Sequence, residues 1–113
     1  MEVKSKIWLE VNGEAVFGSG REALLKSIDK LGSINKAAKE INISYRKALS
    51  YIQTMEQRLG SCLVERKAGG LHGGGASLTK SGREFLTRYE SLADGVNDLI
   101  DKKFMEIFQN DKP

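Results

Sequence analysis

Cysteine, histidine and long apolar runs are scarce in this sequence, and each scarcity removes a class of protein. One cysteine, Cys62, leaves nothing for an internal disulfide and is compatible with a reducing cytoplasm, the compartment expected for the chain. One histidine beside that one cysteine cannot build a His/Cys metal cage, so no metal is expected. A second histidine, a reactive cysteine pair and an inward-facing carboxylate pair are all missing, and no catalysis is expected. No apolar run approaches the ~20 residues of a membrane span. The opening stretch, MEVKSKIWLEVNGE, mixes charges through its apolar residues, unlike a signal peptide.

What is present is periodicity and an uneven distribution of charge. The apolar fraction is 40% over 113 residues, low for a globular chain but strongly patterned, which predicts one modest core. Net charge is +3, yet residues 1–43 carry +1, residues 44–89 carry +5 and residues 90–113 carry −3. A basic block of that kind is what a polyanionic partner selects.

The centre of the chain is Gly32 to Leu59, which reads as two helices joined by a tight turn. Ile34, Ala37, Ala38 and Ile41 share one face of the first helix. Ala48, Leu49, Ile52, Met55 and Leu59 share one face of the second. Ser33 and Ser44 stand just before these runs, where a hydroxyl accepts from an orphan backbone N–H. The Ala37–Ala38 pair allows a close helix crossing, as a helix-turn-helix requires. The outward residues at the start of the second helix are Tyr45, Arg46, Lys47, Ser50 and Tyr51. They are hydrogen-bonding or cationic and suit a helix lying in a major groove. A helical hairpin with a solvated polar face has the same pattern.

Around this centre the flanks are organised as follows. Lys4 to Val11 alternates as a strand, Asn12–Gly13 is a strong hairpin signal, and Glu14 to Phe17 returns. Such a hairpin must pack on something, either through Trp8 or through the opposite Ile7/Leu9/Val11 face. Ser19 and Glu22 have capping-box spacing for a first helix with the stripe Leu24, Leu25, Ile28 and Leu31, stopped by Gly32. After Gly60, SCLVERK reads as a short strand with Cys62 as a small buried hydrophobe. AGGLHGGGA then reads as a loop and Ser77–Leu78 as the return strand. Gly74 to Ser81 comes close to a phosphate-binding loop, but Thr79 occupies the second glycine position and rules it out. Thr79 is instead the expected N-cap of a last helix of about 27 residues, roughly 40 Å long. Its stripe is Phe85, Tyr89, Leu92, Val96, Leu99, Ile100 and Phe104, continued by Ile107 and Phe108. A stripe that outruns its own domain predicts a dimer interface; the alternative is a helix bent at Gly95 and folded back.

Together these residues resemble a family. Gly32 to Leu86 resembles the N-terminal DNA-binding domain of the molybdate-responsive regulator ModE, which is related to the LysR-type winged helix. The likeness rests on GSINKAAKEINISYRKAL, on Ile52 to Glu56 before LVERK, and above all on GGLHGGGASLTKSG, which joins a Gly-rich wing to a Leu-Thr-x-x-Gly helix opening. It implies a mainly α fold with small β elements: a winged helix-turn-helix with an N-terminal β-hairpin, a two-stranded Gly-rich wing and a long C-terminal dimerisation helix. Residues 1–81 would form the DNA-binding unit and residues 82–113 the dimerisation helix.

The resemblance further implies a homodimer reading an inverted-repeat operator in double-stranded DNA with a recognition helix over residues 44–59 and a wing over residues 66–78. Ser33, Ser44, Tyr45, Arg46, Lys47, Ser50 and Tyr51 would face DNA, with Arg66, Lys67 and His72 on the wing and Thr79 both capping and touching phosphate. No cofactor is expected; in particular molybdate is not, because no residues follow the long helix that could form an oxyanion-binding domain. The competing expectations are a winged-helix protein–protein module and a non-specific architectural DNA binder.

Overall fold

The computed structural model of the chain describes residues 1–67 and 75–109. Strand β1 (Leu9–Val11) pairs antiparallel with β2 (Glu14–Phe17) across Asn12 and Gly13, both at positive φ. That is the geometry a two-residue hairpin needs to match strand twist. The strand expected from Lys4 is shorter, because β2 offers only four residues to pair with. The residues before Leu9 run along the last helix instead, where Tyr89 donates its hydroxyl to the Ile7 carbonyl at 2.7 Å and Ser5 bonds Asn97. Of the two hairpin faces, Ile7, Leu9 and Val11 pack on the core, while Trp8 is 52% exposed and donates its ring N–H to Glu10.

Three helices follow: α1 (Ser19–Leu31), α2 (Ile34–Glu40) and α3 (Tyr45–Leu59). Helix α1 begins at Ser19, but the cap is Gly18 and no side chain caps it. Ser19 is therefore the first helical residue rather than the capping hydroxyl expected from its spacing to Glu22. Gly32 and Gly60 end α1 and α3 in the left-handed conformation, donating back to Ile28 and Glu56 carbonyls. Between α2 and α3, Asn42 takes the same conformation at φ 60°, one of the few non-glycine residues that tolerate it. Ala37, Ala38 and Ala48 are all but inaccessible, so the α2–α3 crossing is as close as small side chains permit. Leu24, Leu25 and Ile28 of α1 are fully buried beneath them, each contributing about 1.5–3 kcal/mol relative to exposure.

Strands β3 (Val64–Arg66) and β4 (Ala76–Leu78) form an antiparallel ribbon with Val64 opposite Leu78 and Arg66 opposite Ala76. Three residues pin this ribbon to the helices. The Glu56 carboxylate accepts from the backbone N–H of both Leu63 (2.7 Å) and Val64 (3.1 Å). Thr79 donates its hydroxyl to the Cys62 carbonyl at 2.6 Å, accepts from the Gly82 N–H at 3.0 Å, and gives its own N–H to the Leu63 carbonyl. Gly82 then lies against that same carbonyl: a Cβ built there would stand 2.2 Å from the Leu63 oxygen. The Leu-Thr-x-x-Gly run thus has a physical basis as a clamp between the wing and the last helix. From the other side, Ala76 donates to the Gly32 carbonyl and ties β4 to the α1–α2 turn.

Helix α4 (Lys80–Phe108) is 29 residues long and continues unbroken through Gly95, about 43 Å at 1.5 Å per residue. Its first three turns bury Gly82, Leu86 and Tyr89 in the core. Phe17 meets Phe85 and Tyr89 edge-on, with ring centroids 4.9 and 4.8 Å apart. Beyond Ala93 the helix leaves the core, and the molecule measures 62 × 29 × 22 Å as a result.

Candidate nucleic-acid interface

Helix α3 is sorted by its own periodicity. Ala48, Ile52 and Met55 turn inward and are buried; Tyr45, Arg46, Lys47 and Ser50 are exposed, and Tyr51 is half-buried at their edge. Ser44 caps the helix by accepting from the Lys47 N–H, and Ser33 caps α2 by accepting from the Lys36 N–H. In both caps the oxygen accepts, so the hydroxyl proton is left for an outside acceptor. A phosphate oxygen is such an acceptor. Thr79 differs: its hydroxyl proton goes to Cys62 and its N–H to Leu63. Phosphate oxygens only accept, so Thr79 has no donor to offer one. The described hydrogen bonds of Thr79 are all internal.

A residue from outside the helix-turn-helix joins this surface. Arg21, in the first turn of α1, lays its guanidinium over the Tyr51 ring at 4.3 Å from the centroid, and Lys47 approaches the same ring at 5.7 Å. The Arg21 Nε is buried without a hydrogen-bond partner among the described residues. No local pattern marked Arg21. The available signal was an arginine at the N-terminal end of a helix, where the macrodipole disfavours cations.

On the wing, Arg66 and Lys67 are exposed, and the Lys67 N–H donates to the Gly75 carbonyl, extending the ladder past Arg66. His72 lies outside the described residues. Cys62, expected to be buried, is exposed, and its thiol donates to the Val64 carbonyl at 3.4 Å. It sits at the turn before β3, where Leu63 and Val64 take the buried positions. Local desolvation, then the nearby Glu56 carboxylate, push its pKa above the ordinary thiol value, which disfavours the reactive thiolate.

Some cations of the molecule are paired and others are not. Lys26 pairs with Glu90, Lys30 with Glu40, Arg83 with Asp29 and Arg58 with Glu14. The Lys26 ammonium is held above its ordinary pKa by its hydrogen bond to Glu90. Among the described residues Arg46, Lys47, Arg66 and Lys67 make no salt bridge at all. A set of unpaired cations on one helix start and one ribbon can neutralise phosphates without first breaking internal pairs.

The stripe of α4 divides in the same way. Tyr89, expected at a dimer interface, is 4% exposed and bonded to Ile7, and Phe85 packs against the core. Tyr89 is corrected to a core residue, because the hairpin and its leading segment cover it. Leu92, Val96, Leu99, Ile100 and Phe104 neither belong to that core nor pack on it, and Leu92 and Leu99 are 47% and 56% exposed.

Comparison with known proteins agrees with this geometry. The profile of the bacterial regulatory helix-turn-helix proteins of the lysR family matches residues 23–83, from α1 through the clamp at Gly82. The chain is 38% identical over 86 residues to the molybdenum-pterin-binding protein MopB of Rhodobacter capsulatus, covering 76% of this chain and 32% of that one. It is 34% identical over 111 residues to the DNA-binding transcriptional dual regulator ModE of Escherichia coli K12, covering 98% of this chain and 40% of that one. It therefore spans 32–40% of the length of these relatives. Among solved structures, the CbnR DBD–DNA complex superposes with a TM-score of 0.60 at 23% identity, covering 79% of this chain and 98% of that one. ArgP from Mycobacterium tuberculosis gives 0.56 at 21%, covering 75% and 30%. The order of helices, the clamped ribbon and the matched profile together make this chain a member of the lysR family of bacterial regulatory helix-turn-helix proteins.

Proposed function

We propose that the chain is a sequence-specific duplex DNA-binding transcriptional regulator that acts as a homodimer. The observation that carries this reading is the cationic start of α3 together with the cationic ribbon, where Arg46, Lys47, Arg66 and Lys67 have no carboxylate partner among the described residues. Helix α3 lies in the major groove, where Arg46 and Lys47 read base edges or grip phosphate, and Tyr45, Ser50 and Tyr51 flank them. The hydroxyls of Ser33 and Ser44 donate to phosphates. Arg66 and Lys67 hold the adjacent backbone, and the family resemblance adds His72 to them. Regulatory relatives such as the Escherichia coli dual regulator support the same reading.

The dimer is supported by Leu92 and the apolar side chains of α4 beyond Ala93, which lie outside the core of the described residues, with Leu92 and Leu99 exposed and Val96, Ile100 and Phe104 only partly covered. Leu92, Val96, Leu99, Ile100 and Phe104 would pair with the same residues of a second copy. In this division of labour residues 1–81 read DNA and residues 82–113 set the distance between two half-sites, by whole helical turns. The early turns of α4, through Tyr89, serve both units. The reading requires neither catalysis nor a cofactor from these residues.

Selection of bound duplexes from a random DNA pool at near-physiological salt tests this directly. Enrichment of an inverted repeat is expected. Binding without enrichment would replace the reading with an architectural one based on phosphates and DNA shape. No binding to any duplex would make a protein-interaction module the better account.

A further inference from the structure

The cations on Tyr51 have a consequence of their own, resting on the DNA-binding reading above. Two positive groups, Arg21 from α1 and Lys47 from α3, converge on one aromatic ring at 4.3 and 5.7 Å. Neither makes a salt bridge among the described residues, and the Nε of Arg21 is buried with no acceptor. Glu22, the carboxylate next to Arg21 in sequence, faces Lys26, Glu90 and Asp94 instead. Arg21 also stands in the first turn of a 13-residue helix, the end whose dipole repels cations. The ring quadrupole offsets part of this cost. An anion in reach of both cations would offset the rest through charge-assisted hydrogen bonds.

We propose that Arg21, Lys47 and the Tyr51 hydroxyl form a site for a single phosphate of the DNA backbone, at the edge of the groove that α3 enters. Arg21 supplies a planar donor fork, Lys47 a second positive charge, and Tyr51 a third donor on the ring that holds both in place. The site reads no sequence. It fixes the depth and register of α3 from a helix that lies outside the helix-turn-helix.

The test is duplex affinity as a function of salt for the whole chain and for Arg21→Gln, Arg21→Lys and Tyr51→Phe, each on a selected duplex and on an unrelated one. Circular dichroism and thermal melting identify any variant that has not folded, and Arg21→Lys keeps the charge should Arg21→Gln fail. Removing one phosphate contact lowers the slope of log affinity against log salt by about 1 in magnitude, equally on both duplexes. Arg21→Gln is expected to lose about tenfold in affinity with that change of slope. Arg21→Lys should keep the slope with a smaller loss, and Tyr51→Phe should lose a few-fold with the slope unchanged. An unchanged slope for folded Arg21→Gln, or a loss confined to the selected duplex, would overturn the site while leaving the DNA-binding reading intact. Failure of the unmodified chain to bind either duplex would overturn both.

Discussion

The outward face of α3 and the outer half of α4 are both surfaces left incomplete, but they lack different things. At α3 the missing component is negative charge: Arg46 and Lys47 have no carboxylate partner among the described residues, nor have Arg66 and Lys67 on the ribbon. At α4 it is apolar cover: Leu92, Leu99, Met105 and Ile107 are 47–69% exposed on a stretch whose net charge is negative. A surface lacking anions suits a polyanion, and one lacking cover suits another apolar stripe. On the proposed reading the same chain would take two partners of opposite character. Between them, the groove of α1 and α4 lacks neither, since Lys26, Lys30 and Arg83 all have carboxylates in reach.

The sharpest way to break this comparison is to remove the apolar half. Leu92→Ala with Leu99→Ala deletes two side chains that the isolated chain leaves exposed, so monomer stability should not change. Each fully buried leucine is worth about 1.5–3 kcal/mol, so the dimer dissociation constant should rise on the order of 10²-fold or more, read by sedimentation equilibrium. Next in size is the clamp between the wing and the last helix. Gly82→Ala places a methyl group into the Leu63 carbonyl, with an expected loss of about 3 kcal/mol, or a Tm lower by on the order of 10–20 °C. A melting curve unchanged by this substitution would remove the clamp from the account.

Smaller effects separate the two faces further. Arg46→Ala and Lys47→Ala should each weaken duplex binding by about 1–3 kcal/mol and leave the melting temperature within a few degrees. Glu56→Ala should do the reverse. It leaves the N–H groups of Leu63 and Val64 without their carboxylate, costing about 1–3 kcal/mol of stability. Its effect on DNA binding would follow only from a loosened wing. The smallest change expected is Gly95→Ala, at a helical position where a methyl group meets nothing within 4 Å. It should stabilise α4 by up to about 1 kcal/mol, and a loss would show that the helix needs to bend there.

Most of the fold was legible because its signals are local. The hairpin turn at Asn12–Gly13, the capping serines at 33 and 44, the stop glycines at 32 and 60 and the cap at Thr79 each act within a few residues of themselves. The stripes on α2 and α3 follow from period alone. What sequence reasoning missed depends on contacts between distant segments. Cys62 lost its inward place to Leu63, because the two N–H groups held by Glu56 set the direction of the strand. Tyr89 continues the α4 stripe in sequence, yet the residues ahead of β1 fold over it. Arg21 joins Tyr51 from thirty positions away in sequence. The Leu-Thr-x-x-Gly run was recognisable as a pattern, but its reason, a carbonyl where Gly82 would carry a Cβ, is visible only in three dimensions.

The measurement that tests the central claim most directly compares two double variants in duplex binding across a salt series. Arg46→Ala/Lys47→Ala removes two unpaired cations of α3, and Lys26→Ala/Lys30→Ala removes two paired cations of the α1–α4 groove. Both remove two positive charges, so net charge cannot distinguish them. The account predicts that the first lowers the magnitude of the salt slope by about 2 and the affinity by on the order of 100-fold, while the second leaves both nearly unchanged. Equal effects from the two variants would contradict it, because binding would then follow total charge rather than the face that α3 presents.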